Sequence, residues 1–191
     1  VTVTDANACS SSLVIPIAQP AALALSTSKT DVACNGAATG SISLAVTGGV
    51  TNYSYHWSNG VAAQNLSGVV AGAYSVTVTD VNACTATTSQ TINQPVAITV
   101  SFAQTDVTCF GSNNGSVTTT ASGGSGAYTF HWSNGGTTPG INNLTAGNYN
   151  LSLTDAAGCA TTLSFNVTQP SQIVATETHQ NISCNAVNNG S

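Results

Sequence analysis

Tyr53-Ser54-Tyr55-His56-Trp57-Ser58-Asn59-Gly60 recurs seventy-five positions later as Tyr128-Thr129-Phe130-His131-Trp132-Ser133-Asn134-Gly135. In an extended strand, side chains alternate between faces. Tyr53, Tyr55 and Trp57 therefore share one face, Ser54, His56 and Ser58 the other, and Asn-Gly ends the run as a turn. An aromatic inner face with a polar outer face describes half of a β-sandwich. Tyr53, Tyr55, Trp57, Tyr128, Phe130 and Trp132 are the expected core aromatics, joined by Tyr74 and Tyr149 at the start of a later strand.

Working outward, the same offset holds along the chain. Val1-Thr-Val-Thr-Asp-Ala-Asn-Ala-Cys9 returns as Val76-Thr-Val-Thr-Asp-Val-Asn-Ala-Cys84 and as Leu151-Ser-Leu-Thr-Asp-Ala-Ala-Gly-Cys159, and Gln-Pro returns at 19–20, 94–95 and 169–170. Aligned without gaps, 21–95 and 96–170 share 27 of 75 residues. A fixed period of this size is the mark of a tandem array. The expected organisation is the C-terminal part of a repeat at 1–20, complete repeats at 21–95 and 96–170, and the N-terminal part of another at 171–191, cut from something longer.

Within 96–170 the pattern predicts strand A over 97–108, B over 116–121, the aromatic stretch as C, a short strand near 141–144, F over 149–154 and G over 159–167. A seventh strand is expected in the connection after C. The fold class is all-β, tandem immunoglobulin-like sandwiches of 75 residues. Tyr74 and Tyr149, each following a turn and opening strand F, suit either a tyrosine corner or an ordinary core tyrosine. Because Gln-Pro is the whole junction between repeats, a rod or filament is expected.

Six cysteines at 9, 34, 84, 109, 159 and 184 form no close pairs of zinc-site type and read as a disulfide framework, hence an oxidising compartment. If the strands alternate up and down, the A–B and F–G loops lie at one end of the sandwich. That topology predicts one disulfide within each repeat, Cys34–Cys84 and Cys109–Cys159, and leaves Cys9 and Cys184 unpaired. The rival, Cys84 with Cys109, would have to span two full strands, on the order of 60 to 80 Å in an extended array. A loop of this length closed by a disulfide stabilises a small domain by roughly 4 kcal/mol.

Charge excludes several functions. Lys29 is the only basic residue in 191 and the net charge is -5, so no groove for nucleic acid and no polybasic membrane patch can form. No apolar run is long enough to cross a membrane as a helix. Asp31, Asp80, Asp106 and Asp155 each precede a cysteine and map to the expected disulfide end, where they are candidates either for calcium or for backbone N–H groups in turns. His56 and His131 face outward without a nucleophile or carboxylate near in sequence, so no catalytic residue and no cofactor are expected.

Thr-Asp-Val-x-Cys-x-Gly, Gly-Gly, Tyr-x-Tyr/Phe-His-Trp-Ser-Asn-Gly, Ala-Gly-x-Tyr, Thr-Asp-x-x-x-Cys and Gln-Pro, in that order, resemble the SprB-type repeat of very large surface adhesins of gliding bacteria. The resemblance implies an extracellular cell-surface filament exported by type IX secretion, serving gliding motility and cell adhesion, with no catalytic residues. Its expected partners are neighbouring repeats and an extracellular surface or polysaccharide. Two alternatives are glycan-binding sandwich modules of a secreted protein, using the outer sheet and its Thr and Ser side chains, and accessory repeats of a secreted enzyme.

Overall fold

Stretches in which Val, Ile, Leu and aromatic residues alternate with Ser, Thr and Asn satisfy the pleat of a half-buried sheet, and Gly, Asn and Asp punctuate them. The computed structural model describes residues 1–179, and all their regular structure is strand. The chain divides into two compact units, Val1–Pro95 and Val96–Ser191.

The first unit begins with a hairpin of β1 (Thr2–Thr4) and β2 (Ser10–Ser12), exposed throughout. Its sandwich follows. β3 (Ala24–Thr30), β4 (Gly40–Thr47) and β6 (Leu66–Val69) make one antiparallel sheet in the order β3-β4-β6, and β5 (Ser54–Trp57), β7 (Gly72–Thr79) and β8 (Thr85–Ile92) make the other in the order β5-β7-β8. Ile42, Leu44 and Leu66 from one sheet and Trp57, Val76, Val78 and Ile92 from the other are buried in a single cluster.

The second unit has the same plan. β9 (Thr99–Thr105), β10 (Gly115–Ser122) and β12 (Gly140–Leu144) form one sheet, and β11 (Tyr128–Trp132), β13 (Gly147–Asp155) and β14 (Ala160–Val167) the other. Val117, Leu144, Trp132, Leu151, Leu153, Phe165 and Val167 form its core. Each unit is an immunoglobulin-like β-sandwich of two three-stranded antiparallel sheets.

Among the expected core aromatics, only Trp57 and Trp132 are fully buried. Tyr53, Tyr55, Tyr74, Tyr128, Phe130 and Tyr149 are half-buried and pack against the core from its margin. The Tyr74 hydroxyl donates to the Val70 carbonyl at 3.0 Å and that of Tyr149 to the Thr145 carbonyl at 3.0 Å, four residues upstream in both cases. This is a tyrosine corner.

Two expectations are corrected here. Each sandwich has six strands: the residues between β5 and β6, and between β11 and β12, form no seventh. They are occupied otherwise, because the Trp57 amide bonds the Val61 carbonyl and its indole N–H bonds the Ala63 carbonyl, which curls the chain off the strand line.

Strand direction also departs from simple alternation. β5 runs antiparallel to β7, with Ser54 opposite Thr79, and β6 runs antiparallel to β4, with Gly40 opposite Val69. The connection between them changes sheets and keeps its direction, so everything after it is reversed relative to an up-and-down order. β8 consequently runs parallel to β3, with Thr27 bonded to Gln90 and Lys29 to the Thr91 carbonyl. Each unit therefore has an entry pole, where β3 or β9 starts, and an exit pole, where β8 or β14 ends.

Candidate functional site

The sequence-predicted polar and sulfur-bearing residues gather at the two poles. At the entry pole of the first unit the Gly49 amide donates to the Ala21 carbonyl at 2.7 Å. Beside it the Asp80 carboxylate, 5% exposed, accepts the amides of Val50 at 3.0 Å and of Asn82 and Cys84 at 2.9 Å. Asp155 repeats this with Ser125 at 2.8 Å and with Ala157 and Cys159 at 2.9 Å. Asp5 closes the same loop in the first hairpin, on the amides of Asn7 and Cys9. Thr-Asp-x-x-x-Cys is thus a self-closing turn that fixes where its cysteine stands.

These donors set the acidity of the carboxylates. The Val50 amide, then those of Cys84 and Asn82, hold Asp80 below the usual carboxylate range; for Asp155 the Cys159 amide leads.

At the exit pole the A–B loop (31–36 in the first unit) is tied to the end of β8. Asp31 accepts the Asn93 amide at 2.8 Å and pairs with Lys29 at 2.8 Å, Asn35 donates to the Pro95 carbonyl at 3.0 Å, and the Gly36 amide donates to the Gln94 side chain at 2.8 Å. Asp106 accepts the Thr168 amide at 3.0 Å, and Gly111 bonds Gln169 at 2.9 Å. The Lys29 ammonium lowers Asp31, and the Thr168 amide lowers Asp106. Gln94 and Gln169, recognised in the sequence only as junction markers, turn out to cap this loop; their invariant place two residues after the last strand residue and beside Pro was the available signal.

Sequence reasoning placed Asp31 with Asp80, and Asp106 with Asp155, at one end. The structure sets them at opposite poles, and their oxygens are engaged by donors. Among the described residues no group of three or more His, Cys, Asp or Glu side chains comes together around a common point.

The pairs Cys34–Cys84 and Cys109–Cys159 are likewise corrected. Cys84 and Cys109 carry free, exposed thiols, as does Cys9, whereas Cys34 and Cys159 are disulfide-bonded. The reason is the reversal at the β5–β6 connection. Cys34 lies at the exit pole, and Cys84 at the entry pole beyond the far end of the eight-residue β8. At ~3.3 Å per residue the poles are about 25 Å apart, and a disulfide needs Cα atoms within about 7 Å. Cys184 lies outside the described residues.

His56 and His131 are exposed on the outer face of their sheets. Next to His131 an open groove of about 400 Å³ is lined by Ser133, Asn150, Ser152, Thr162 and Ser164. It is rich in hydroxyls, and its wall holds no Asp, Glu, Lys or Arg.

Comparisons bear on what this architecture is. A family model described as the SprB repeat matches residues 26–62 and 101–137, spanning the first three strands of each sandwich. A solved structure of Down Syndrome Cell Adhesion Molecule isoform 1.30.30, N-terminal eight Ig domains, aligns at TM-score 0.40 and 13% identity, over 79% of this chain and 25% of that one. The chain therefore spans about a quarter of that structure's length. The amphioxus IgVJ-C2 molecule aligns at TM-score 0.31 and 15% identity, over 80% of this chain and 99% of that one. No curated protein matches the chain. The SprB repeat model thus finds one match in each of the two sandwich units.

Proposed function

We propose that the chain is a repeat region of a long cell-surface filament, an adhesin of the kind used in gliding motility, lying outside the cell and meeting a polysaccharide-bearing or other extracellular surface. The observation that carries this reading is the SprB repeat match in both units. Composition supports it: one basic residue in 191 leaves a trypsin-like protease almost nothing to cut, which suits a chain exposed to its surroundings. Most of the side chains that stand out in the sequence hold the units together, so these sandwiches act as spacer and scaffold.

Two measurements test it. Antibody raised against the chain should label intact cells without permeabilisation, and cells lacking the encoding region should lose adhesion to glass and gliding. Labelling only after permeabilisation, or unchanged adhesion and gliding, overturns the reading.

A second reading, glycan binding by the sandwiches themselves, is favoured by the hydroxyl-lined groove beside His131. A glycan array probed with the chain separates the two: binding that His131→Ala abolishes supports recognition by the outer sheet, and no binding at high protein concentration leaves the scaffold role.

A further inference from the structure

The hairpin of β1 and β2 is built like the one that β7 and β8 form in the same unit. Thr2 stands opposite Ser12 and Thr4 opposite Ser10; seventy-five positions on, Thr77 stands opposite Thr87 and Thr79 opposite Thr85. The closing turns agree as well. The amides of Asp5 and Asp80 each donate to the carbonyl of the cysteine four residues on, at 2.9 Å, and Ala8 and Ala83 have positive φ of 63° and 64°.

What surrounds the two hairpins differs. Val76, Val78 and Ile92 lie in the core with residues of β4, β5 and β6 and are at most 1% exposed, whereas their counterparts Val1, Val3 and Ile17 are 79%, 67% and 94% exposed. On its second edge β7 carries β5, with Trp57 opposite Val76 and Tyr55 opposite Val78; β1 and β2 make a two-stranded sheet by themselves, so the same edge of β1 is open. Asp80 takes the Val50 amide on Oδ2 at 3.0 Å. Asp5 is exposed and takes Asn7 and Cys9 on Oδ1, and its Oδ2 meets no amide among the described residues. Two strands alone are marginal in water. An apolar face, a strand edge and a carboxylate oxygen thus lie open side by side, and in the complete sandwich one stretch, residues 21–71, covers the equivalents of all three.

We propose that β1–β2 is an acceptor surface for a separate segment of repeat sequence, of the kind that forms β3 to β6. The aromatic strand of that segment adds antiparallel along β1, its tryptophan opposite Val1 and the tyrosine two residues earlier opposite Val3. Its three-stranded sheet covers Val1, Val3 and Ile17, and the amide that follows its Gly-Gly pair reaches Asp5 Oδ2. Main-chain bonds along the strand edge supply affinity, and the side chains that become buried supply selectivity. Because the hairpin is already in register and closed by Asp5, it needs no covalent link to the segment that covers it, and the cost of ordering falls on the segment.

The acceptor surface is read on purified protein and is independent of the cell-surface reading, so either can fail alone. A synthetic segment of residues 21–71 is titrated into the isotope-labelled full chain and followed by NMR. Shifts confined to residues 1–17 are expected, saturating at one segment per chain, with slowed amide exchange over 13–17 as β2 lengthens to match β8. Val3→Asp, at an exposed position, should leave the urea midpoints of the chain unchanged and weaken capture by roughly tenfold or more, because the carboxylate would enter an apolar core. Equal capture by Val3→Asp, shifts centred on the 21–95 sandwich, or no shift with the segment soluble and in excess overturns the proposal, as does pairing of the hairpin with that of a second copy that the segment fails to displace. Where the free segment precipitates, a chain with residues 21–75 joined directly ahead of Val1 makes the same test: slowed exchange at Val1, Val3 and Ile17 is expected, and free exchange at these amides overturns it.

Discussion

The Trp57 indole N–H donates to the carbonyl of Ala63, six residues ahead, at 2.9 Å, and Trp132 does the same to Thr138. One side chain thus fills the core and also pins the connection that carries the chain from one sheet to the other. Trp57→Phe leaves the Ala63 carbonyl without this donor and removes core volume. It should cost about 1–3 kcal/mol, with Trp57→Ala costing about 3–5 kcal/mol, as read from urea denaturation midpoints.

Gly48 and Gly60 both sit at positive φ, +74° and +84°, yet their surroundings differ. A Cβ on Gly48 would stand 2.0 Å from the Ala22 carbonyl oxygen, whereas around Gly60 nothing lies within 4 Å. Gly60→Ala should therefore cost only the backbone strain, about 1 kcal/mol. Gly48→Ala should cost several times as much, because backbone must move; equal midpoints for the two variants would contradict the packing of the entry pole.

The corner hydroxyls of Tyr74 and Tyr149 each make one bond to a carbonyl four residues back. Tyr149→Phe should destabilise the second unit by about 1 kcal/mol and leave its near-ultraviolet dichroism close to native. A neutral result would place that bond among those that water replaces without loss.

Asp80 and Asp155 are held below the ordinary carboxylate value by backbone amides. Because the folded pKa is lower than the unfolded one, the folded chain binds fewer protons, and its stability is complete above about pH 4, the unfolded value. It then declines as the pH falls through the folded values. Urea midpoints should be level from about pH 5 to 7 and drop below about pH 4. Asp80→Asn with Asp155→Asn should flatten that drop, leaving a remainder from Asp31 and Asp106, which are also lowered.

Lys29 bridges Asp31 and the Thr91 carbonyl, and in the second unit Gln104 bridges Asp106 and the Asn166 carbonyl, at 2.8 and 2.9 Å. Amide and ammonium occupy one role. Lys29→Gln should keep the denaturation midpoint and remove the only basic residue, giving a chain fully resistant to trypsin in the unfolded state as well.

Much of this was legible before any coordinates. The aromatic strand, the buried tryptophans, the strand that opens at Tyr74 or Tyr149 and the tight Asp loops follow from alternation and turn chemistry. Direction was not, because a strand shows the same alternation whichever way it runs. The deciding segment, 61–70 against 136–145, shares no identical residue in the alignment of the two repeats. Its two copies are held by different bonds: Gln64 and Asn65 grip the Leu44 backbone in one, and the Pro139 carbonyl accepts from Thr119 in the other. A reversed direction after that segment moved Cys84 and Asp80 to the opposite pole, and with them the whole cysteine pairing.

The parallel course of β3 and β8 has a mechanical consequence. The chain enters a sandwich at one pole and leaves it at the other, so tension applied through the ends pulls these two strands past each other lengthwise. Thr27 with Gln90, Lys29 with Thr91 and Asp31 with Asn93 then bear the load simultaneously. Bonds arranged this way must rupture together, in shear, whereas a hairpin pulled from its open end unzips one bond at a time; a tether built of such units yields to drag abruptly and at high force.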